Sequence, residues 1–221
     1  ESCYLMNTLA FSIENYALVT YWLGMAAVAA MAGASVVESG AKQFDLFGVI
    51  VIALAASLGG GSLRDMLLDR PVFWIADELY LLIAIMAAVS VFFLARWLVM
   101  PVRAFLILDA IGLALFSIMG THAALVLGTS WLVASFTGVI TGVMGGVFRD
   151  VLCNEDPWVF RSPLFATASW LGCWLYILMV EYNVGELAAN LIASTSILLI
   201  RLYALRKGVN LPRFREKIKR L

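Results

Sequence analysis

The chain has 221 residues, 63% of them hydrophobic and only 14% charged, with a mean hydropathy of +0.95. A water-soluble domain carries nearer a quarter charged residues; this one would leave far too much apolar surface in water, so its solvent is a bilayer. The 15 Lys and Arg balance the 15 Asp and Glu, and no nucleic-acid partner is expected.

In chain order the sequence predicts seven apolar segments, at 17–37, 46–63, 79–94, 104–127, 131–148, 163–180 and 187–200. Most approach the ~20 residues that a spanning helix needs. The charge-free stretch 110–148 is too long for one crossing and must hold two helices, with the turn at Gly128-Thr129-Ser130. The last segment is short, and a snorkelling Arg201 is expected to let it run on to Leu205. Turn formers stand at Ser39-Gly40, Arg70-Pro71, Asp156-Pro157 and Ser162-Pro163. The chain opens on Glu1 rather than Met, which reads as a trimmed start, and no signal-peptide pattern precedes the first segment. Cys3, Cys153 and Cys173 show no metal-site or disulfide spacing and read as small apolar fillers.

Lys and Arg set the orientation. With the N-terminus outside, thirteen fall on the inner side and two, Arg64 and Arg70, on the outer side; eight of the thirteen lie in the last 21 residues. That basic tail, 207–221, reads as a binder of anionic lipid at the inner surface.

A motif occurs twice. Gly59-Gly60-Gly61 precedes Arg64-Asp65, and Gly145-Gly146 precedes Arg149-Asp150, with equivalent residues 85 positions apart. Three helices lie in each copy, so the second enters the membrane from the opposite side. The expected architecture is all-α and integral to the membrane: an inverted pair of three-helix repeats (17–100 and 104–183), an accessory seventh helix (184–206) and the tail.

The glycines have two readings. Ala53, Ser57 and Gly61, like Gly138, Gly142 and Gly146, recur every four residues, which suits close helix packing. Packing does not explain three consecutive glycines, so the preferred reading is that both helices break near mid-membrane and expose carbonyls to a polar path. Adjacent residues on a helix point about 100° apart, so Arg64 and Asp65 are expected to find partners on other segments. The Arg-Asp pairs serve either as interfacial anchors or as two vestibules at opposite ends of one path. Asp109, inside an apolar run, either holds Arg149 in a salt bridge or lines the path. His122 reads as a cross-helix hydrogen-bond partner ahead of a proton relay. Lys42, in the first inner loop, reads as a topology anchor ahead of a gate. Catalytic signatures are missing from the sequence, and no cofactor or metal is expected.

These residues resemble the prokaryotic branch of the trimeric intracellular cation channels, whose domain is also known as a glycine transporter domain. The Gly-Gly-Gly-x-x-Arg-Asp run is complete at Gly59 to Asp65; the second copy has Met144 for its first glycine. Asp45-Leu46-Phe47-Gly48 and Pro71-Val72-Phe73-Trp74 match the first repeat. Leu108-Asp109-Ala110 through Phe116, with Arg161-Ser162 and Leu164, match the second. The resemblance covers about residues 20–200. It implies a homotrimer in the prokaryotic inner membrane with one path per protomer for monovalent cations such as potassium and sodium. Two departures stand against a lysine-based gate: Thr121-His122-Ala123 where the family often has a lysine, and Tyr21-Trp22-Leu23-Gly24 where it often has an aspartate. The expected function is a passive cation channel. A secondary transporter of a small zwitterion such as glycine is the alternative, and a non-conducting scaffold a third.

Overall fold

The structure is a computed structural model that describes residues 2–98, 101–162 and 164–208, with no side-chain description for residues 2–17 and 41. Cys3, Pro163 and the tail from residue 209 therefore lie outside the described side chains. The described chain is all-helical. Its elements are α1 (Ser2–Ser39), a 3-10 turn (Gly40–Lys42), α2 (Leu46–Leu67), α3 (Phe73–Ala76), α4 (Leu79–Trp97), α5 (Val102–Val126), α6 (Trp131–Leu152), α7 (Trp158–Arg161), α8 (Phe165–Glu181) and α9 (Glu186–Lys207).

Six helices are long and apolar enough to cross a membrane, α1 over Leu18–Ser39; the shorter apolar helix is α8, at 17 residues. The charge-free stretch divides where expected, with Gly128 left-handed at φ +72° between α5 and α6. The last helix runs on to Lys207 as expected, but Arg201 does not snorkel: its side chain is 0% exposed. It lies on the buried stripe Asn190, Ala193, Ser194, Ile197, Arg201, Ala204, which faces the other helices.

The 85-residue offset extends through the local structure. Asp45 caps α2 by accepting from Gly48 N, and Ser130 caps α6 by accepting from Val133 N. Both helices end with the next-but-one residue left-handed, Asp69 at φ +51° and Asn154 at φ +54°, and a four-residue helix follows each. Gln43 and Gly128, both left-handed, also stand 85 apart.

The expected breaks at the glycines are absent. α2 and α6 run as uninterrupted α-helix through Gly59–Gly61 and Gly145–Gly146. A glycine weakens a helix by about 1 kcal/mol, too little to open one that is packed along its length. What the glycines permit is contact between backbones. A Cβ on Gly60 would fall on the Thr141 carbonyl oxygen and lie 3.3 Å from Gly145 N; one on Gly145 would fall on the Ala56 carbonyl oxygen. Following α2 from Ala56 to Gly60, the partner on α6 runs back from Gly145 to Thr141, so the helices cross antiparallel. The two contacts exchange under the 85-residue offset. Gly59 and Gly61 make room for the rings of Phe148 and Phe73. Position 148 is a phenylalanine and its equivalent is Leu63, so the glycine that clears a ring is needed only in the first copy, where the second has Met144.

α1 and α5 flank this crossing, while α4 buries only Ala84 and Ala88 and turns its remaining face outward. α8 and α9 pack on α5 through Leu113, Ile118, Tyr176, Ala193 and Ile197.

Gly60→Ala and Gly145→Ala each press a methyl group against a backbone carbonyl that has nowhere to go. Each should destabilise the protein by about 1–3 kcal/mol despite alanine's better helix propensity. Gly40→Ala, which meets nothing within 4 Å, should stay within about 0.5 kcal/mol. Thermal unfolding in detergent reads the difference.

Candidate functional site

Beyond the glycine crossing, each helix ends in a buried ionic cluster. At the end of α2, Arg64 Nε donates to Asp65 Oδ1 at 2.8 Å and Nη2 to Oδ2 at 3.0 Å. Asp65 Oδ2 also accepts from Phe73 N at 3.0 Å, capping α3, and the guanidinium lies 5.6 Å from the Phe73 ring centre. At the end of α6, Arg149 Nε donates to Asp150 Oδ1 at 2.9 Å, and Asp150 Oδ2 accepts from Trp158 N at 2.7 Å, capping α7.

Pairing between sequence neighbours overturns the expectation that Arg64 and Asp65 would look elsewhere. The Cα–Cβ bonds do diverge, but the arginine stem is long enough to curl back. The aspartate is in turn held toward the following turn by an N–H eight residues on. An arginine has five donors in a planar fork, which suits the two oxygens of one carboxylate.

The α6 cluster has a further member. Arg149 Nη1 donates to Asp109 Oδ1 on α5 at 2.8 Å, and the guanidinium stacks 4.7 Å from the Phe105 ring centre. The salt-bridge reading of Asp109 is thus present in the geometry. Arg149 is 0% and Asp109 2% exposed. Nη2 lies 2.9 Å from Asp150 Oδ1 but outside hydrogen-bonding alignment. A buried guanidinium is tolerable only with such close opposite charge; here two carboxylates and a ring face supply it.

Lys42 crosses to the loop after α6, where Nζ meets Glu155 Oε1 at 2.6 Å. The hydrogen bond raises the Lys42 ammonium above its ordinary value and holds the Glu155 carboxyl below its own. Beside it Ser39 Oγ and Cys153 Sγ stand 3.8 Å apart. Cys153 and Cys173 are free and buried. His122 Nδ1 lies 2.9 Å from Tyr176 Oη across α5 and α8, the cross-helix bond expected of it. Around the Arg64 side a cavity of about 280 Å³ opens among α1, α2, α4 and α5, with Arg70 and His122 on its wall. A Cβ on Gly146 would make only ordinary contacts, with Arg149 Nη2 at 3.5 Å and Asp109 Oδ1 at 3.8 Å.

Two features escape the sequence reading. Arg201 donates to Ser162 Oγ at 3.0 Å and stacks 4.4 Å over the Phe165 ring centre. Its register with Asn190, Ser194 and Ile197 is the signal that would have found it. Secondly, a band of hydroxyls, including Ser117, Thr121, Thr141 and Ser169, is buried where α5, α6 and α8 meet. Ser117 Oγ and Ser169 Oγ stand 2.7 Å apart, and Gly120, Gly138 and Gly142 make room for the band.

A family model described as glycine transporter matches this chain twice, over residues 21–96 and 106–181. A membrane protein of Vibrio cholerae serotype O1 is 39% identical over 201 residues, 88% of this chain and 82% of that protein. The inner membrane protein YadS of Escherichia coli (strain K12) is 36% identical over 206 residues, 89% and 97% of the two chains. Among solved structures, the TRIC trimeric intracellular cation channel orthologue from Rhodobacter sphaeroides superposes with a TM-score of 0.82. It is 30% identical, with 86% of this chain and 99% of that one covered. A prokaryotic TRIC channel solved in 0.5 M KCl gives 0.80 at 27% identity, with 88% and 99% covered.

Asp109→Asn leaves Arg149 buried with one carboxylate in place of two. The loss should be about 3 kcal/mol, the lower end for a broken buried pair because Asp150 stays, and chemical or thermal unfolding measures it. The Lys42–Glu155 pair has an acid limit. Glu155 titrates below its ordinary 4.5 in the folded protein, so the pair's contribution is complete above that value and is lost as pH falls through the lowered one. Glu155→Gln should remove this acid limb from a Tm-against-pH profile. The effect should be small and should shrink with salt, because the pair is exposed.

Proposed function

The chain belongs to the glycine-transporter family of multi-pass membrane proteins, which includes the TRIC cation channels, and on that premise we propose that it is a passive channel for monovalent cations. It works as a homotrimer in a prokaryotic inner membrane, with one path in each protomer. The path runs between two inverted repeats, 17–100 and 104–183, with 184–206 as an accessory helix. The N-terminus is outside, and the tail, 207–221, lies against anionic lipid on the cytoplasmic side. The six long apolar helices and α8 together make seven crossings.

The observation that carries this reading is the exchangeable antiparallel contact of Gly60 and Gly145, with a buried ionic cluster beyond each glycine. A contact that maps onto itself when two segments are swapped is the signature of a two-fold axis. When the two helices are antiparallel spans, that axis lies in the membrane plane, which is the relation between inverted repeats.

The chemistry follows from the parts. Between the clusters the facing sides of α2 and α6 carry glycine in place of bulky apolar groups, with the Ala56 and Thr141 carbonyl oxygens at their contact. Such a seam offers an ion weak oxygen sites and no deep trap, as conduction requires. The backbone contact is its narrowest point and serves as the gate: α2 and α6 separate there to conduct, with the Phe148 ring leaving its notch at Gly59. Asp65, Asp109 and Asp150 keep the two ends hospitable to cations by matching the arginines. The small-zwitterion transporter is not favoured, since the solved structures that superpose on this chain are described as channels.

Single-channel recording of purified protein in planar bilayers tests the reading. Cation currents are expected, and Gly60→Leu or Gly145→Leu should reduce them sharply in protein that still assembles. Normal currents through such variants would place the path elsewhere. Arg213→Glu with Arg215→Glu should spare conductance and weaken only binding to anionic vesicles. Orientation has its own assay. In a cysteine-free background a Cys at Arg70 should react with an impermeant reagent added outside, and a Cys at Arg206 should not.

A further inference from the structure

The α2 and α6 ends are built alike, yet they differ on the helix that flanks each one. The offset that pairs Gln43 with Gly128 and Asp69 with Asn154 also pairs α1 with α5, setting Thr20 against Phe105 and Gly24 against Asp109. At the α6 end Phe105 lies against the Arg149 guanidinium and Asp109 takes its Nη1 at 2.8 Å. The α2 end has a hydroxyl in place of the ring and a hydrogen atom in place of the carboxymethyl group.

The cavity of about 280 Å³ is found here, with Thr20, Gly24, Arg64, Arg70 and Tyr80 in its wall. Donors in this wall outnumber the carboxylates that engage them. Thr20 Oγ1 is buried with no hydrogen-bond partner. Arg64 binds Asp65 through Nε and Nη2, and Nη1 takes no part in that fork. Arg70 forms no ion pair among the described residues. The nearby carboxylate of Asp77 is already engaged, by Tyr21 Oη at 2.7 Å and Leu79 N at 3.0 Å.

We infer that this cavity binds a small carboxylate, whose carboxyl group occupies on Arg64 the place that Asp109 occupies on Arg149. Two guanidinium groups and a hydroxyl converge on one space, a donor set that fits a planar pair of anionic oxygens better than a spherical ion. Acetate is the minimal probe, being the Asp109 side chain freed from its backbone. The site is separate from the glycine crossing, and its occupancy does not depend on whether the protein conducts.

The full chain in detergent provides the test. Sodium acetate should raise Tm saturably, by about 2–4 °C for each kcal/mol of binding, while sodium chloride at equal ionic strength should leave it unchanged. Gly24→Asp places a tethered carboxylate in the cavity. Its new Cβ meets the Met119 methyl at 2.9 Å and Tyr80 Oη at 3.0 Å, both ends of side chains. This variant should be more stable without acetate and should lose the acetate response. If Gly24→Asp fails to assemble, the double variant Thr20→Val, Arg70→Gln decides, and acetate should bind it at least tenfold more weakly by calorimetry. An equal response to chloride and acetate, no response to either, or an undiminished response in these variants would overturn the inference.

Discussion

Two helix backbones touch at Gly60 and Gly145, and the rest of the molecule is arranged around that contact. In lipid, apolar side chains gain little by leaving their surroundings for one another, because hydrocarbon lies on both sides of the exchange. Helices associate through dispersion and polar contacts instead, and both strengthen as the axes approach. Glycine gives the closest approach available. Once α2 and α6 are pinned at one point, the helices that flank them, α1 and α5, have their places fixed. The hydroxyl band among α5, α6 and α8 then follows from the next glycines along the same face.

Buried arginines supply the second constraint, met in three ways. Arg149 has two carboxylates and a ring. Arg64 has one carboxylate in a fork and a more distant ring. Arg201 has a serine hydroxyl and the closest ring of the three. A guanidinium suits these places better than an ammonium, since its charge is spread over a plane that stacks and hydrogen-bonds at once. The two aspartates that follow arginine have a second task, holding the N–H groups that begin α3 and α7. Each therefore ties an ion pair to the turn of the chain just after a spanning helix, and a loss at either residue loosens both.

Much of this was legible in the sequence. The repeat spacing, the turn at Gly128 and the cross-helix role of His122 follow from residue type and position, because one-dimensional patterns carry them; the Asp109–Arg149 bond is one of the two readings that Asp109's place in an apolar run leaves open. The uninterrupted course of α2 and α6 was not legible. Glycine clusters weaken a helix in isolation, and only knowledge of what lies against them says whether it breaks. Pairing within Arg64-Asp65 is hidden because backbone directions are read from sequence spacing and the reach of the arginine stem is not. Arg201 reads as interfacial from its residue type alone, although its spacing from Ile197 sets it on the buried stripe. The cavity at Thr20 and Gly24 becomes visible only when one half of the fold is set against the other.

The two ionic clusters differ in charge as well. Arg149 faces Asp109 and Asp150, leaving that ionic cluster one charge negative. Arg64 faces Asp65 alone, and Arg70 adds a positive charge beside it. The two clusters thus differ by a charge in a medium that screens the difference poorly. In the channel proposed above, cations driven in opposite directions would meet the two clusters in opposite orders. Equal and opposite voltages would then drive unequal currents, a rectification that needs no moving part.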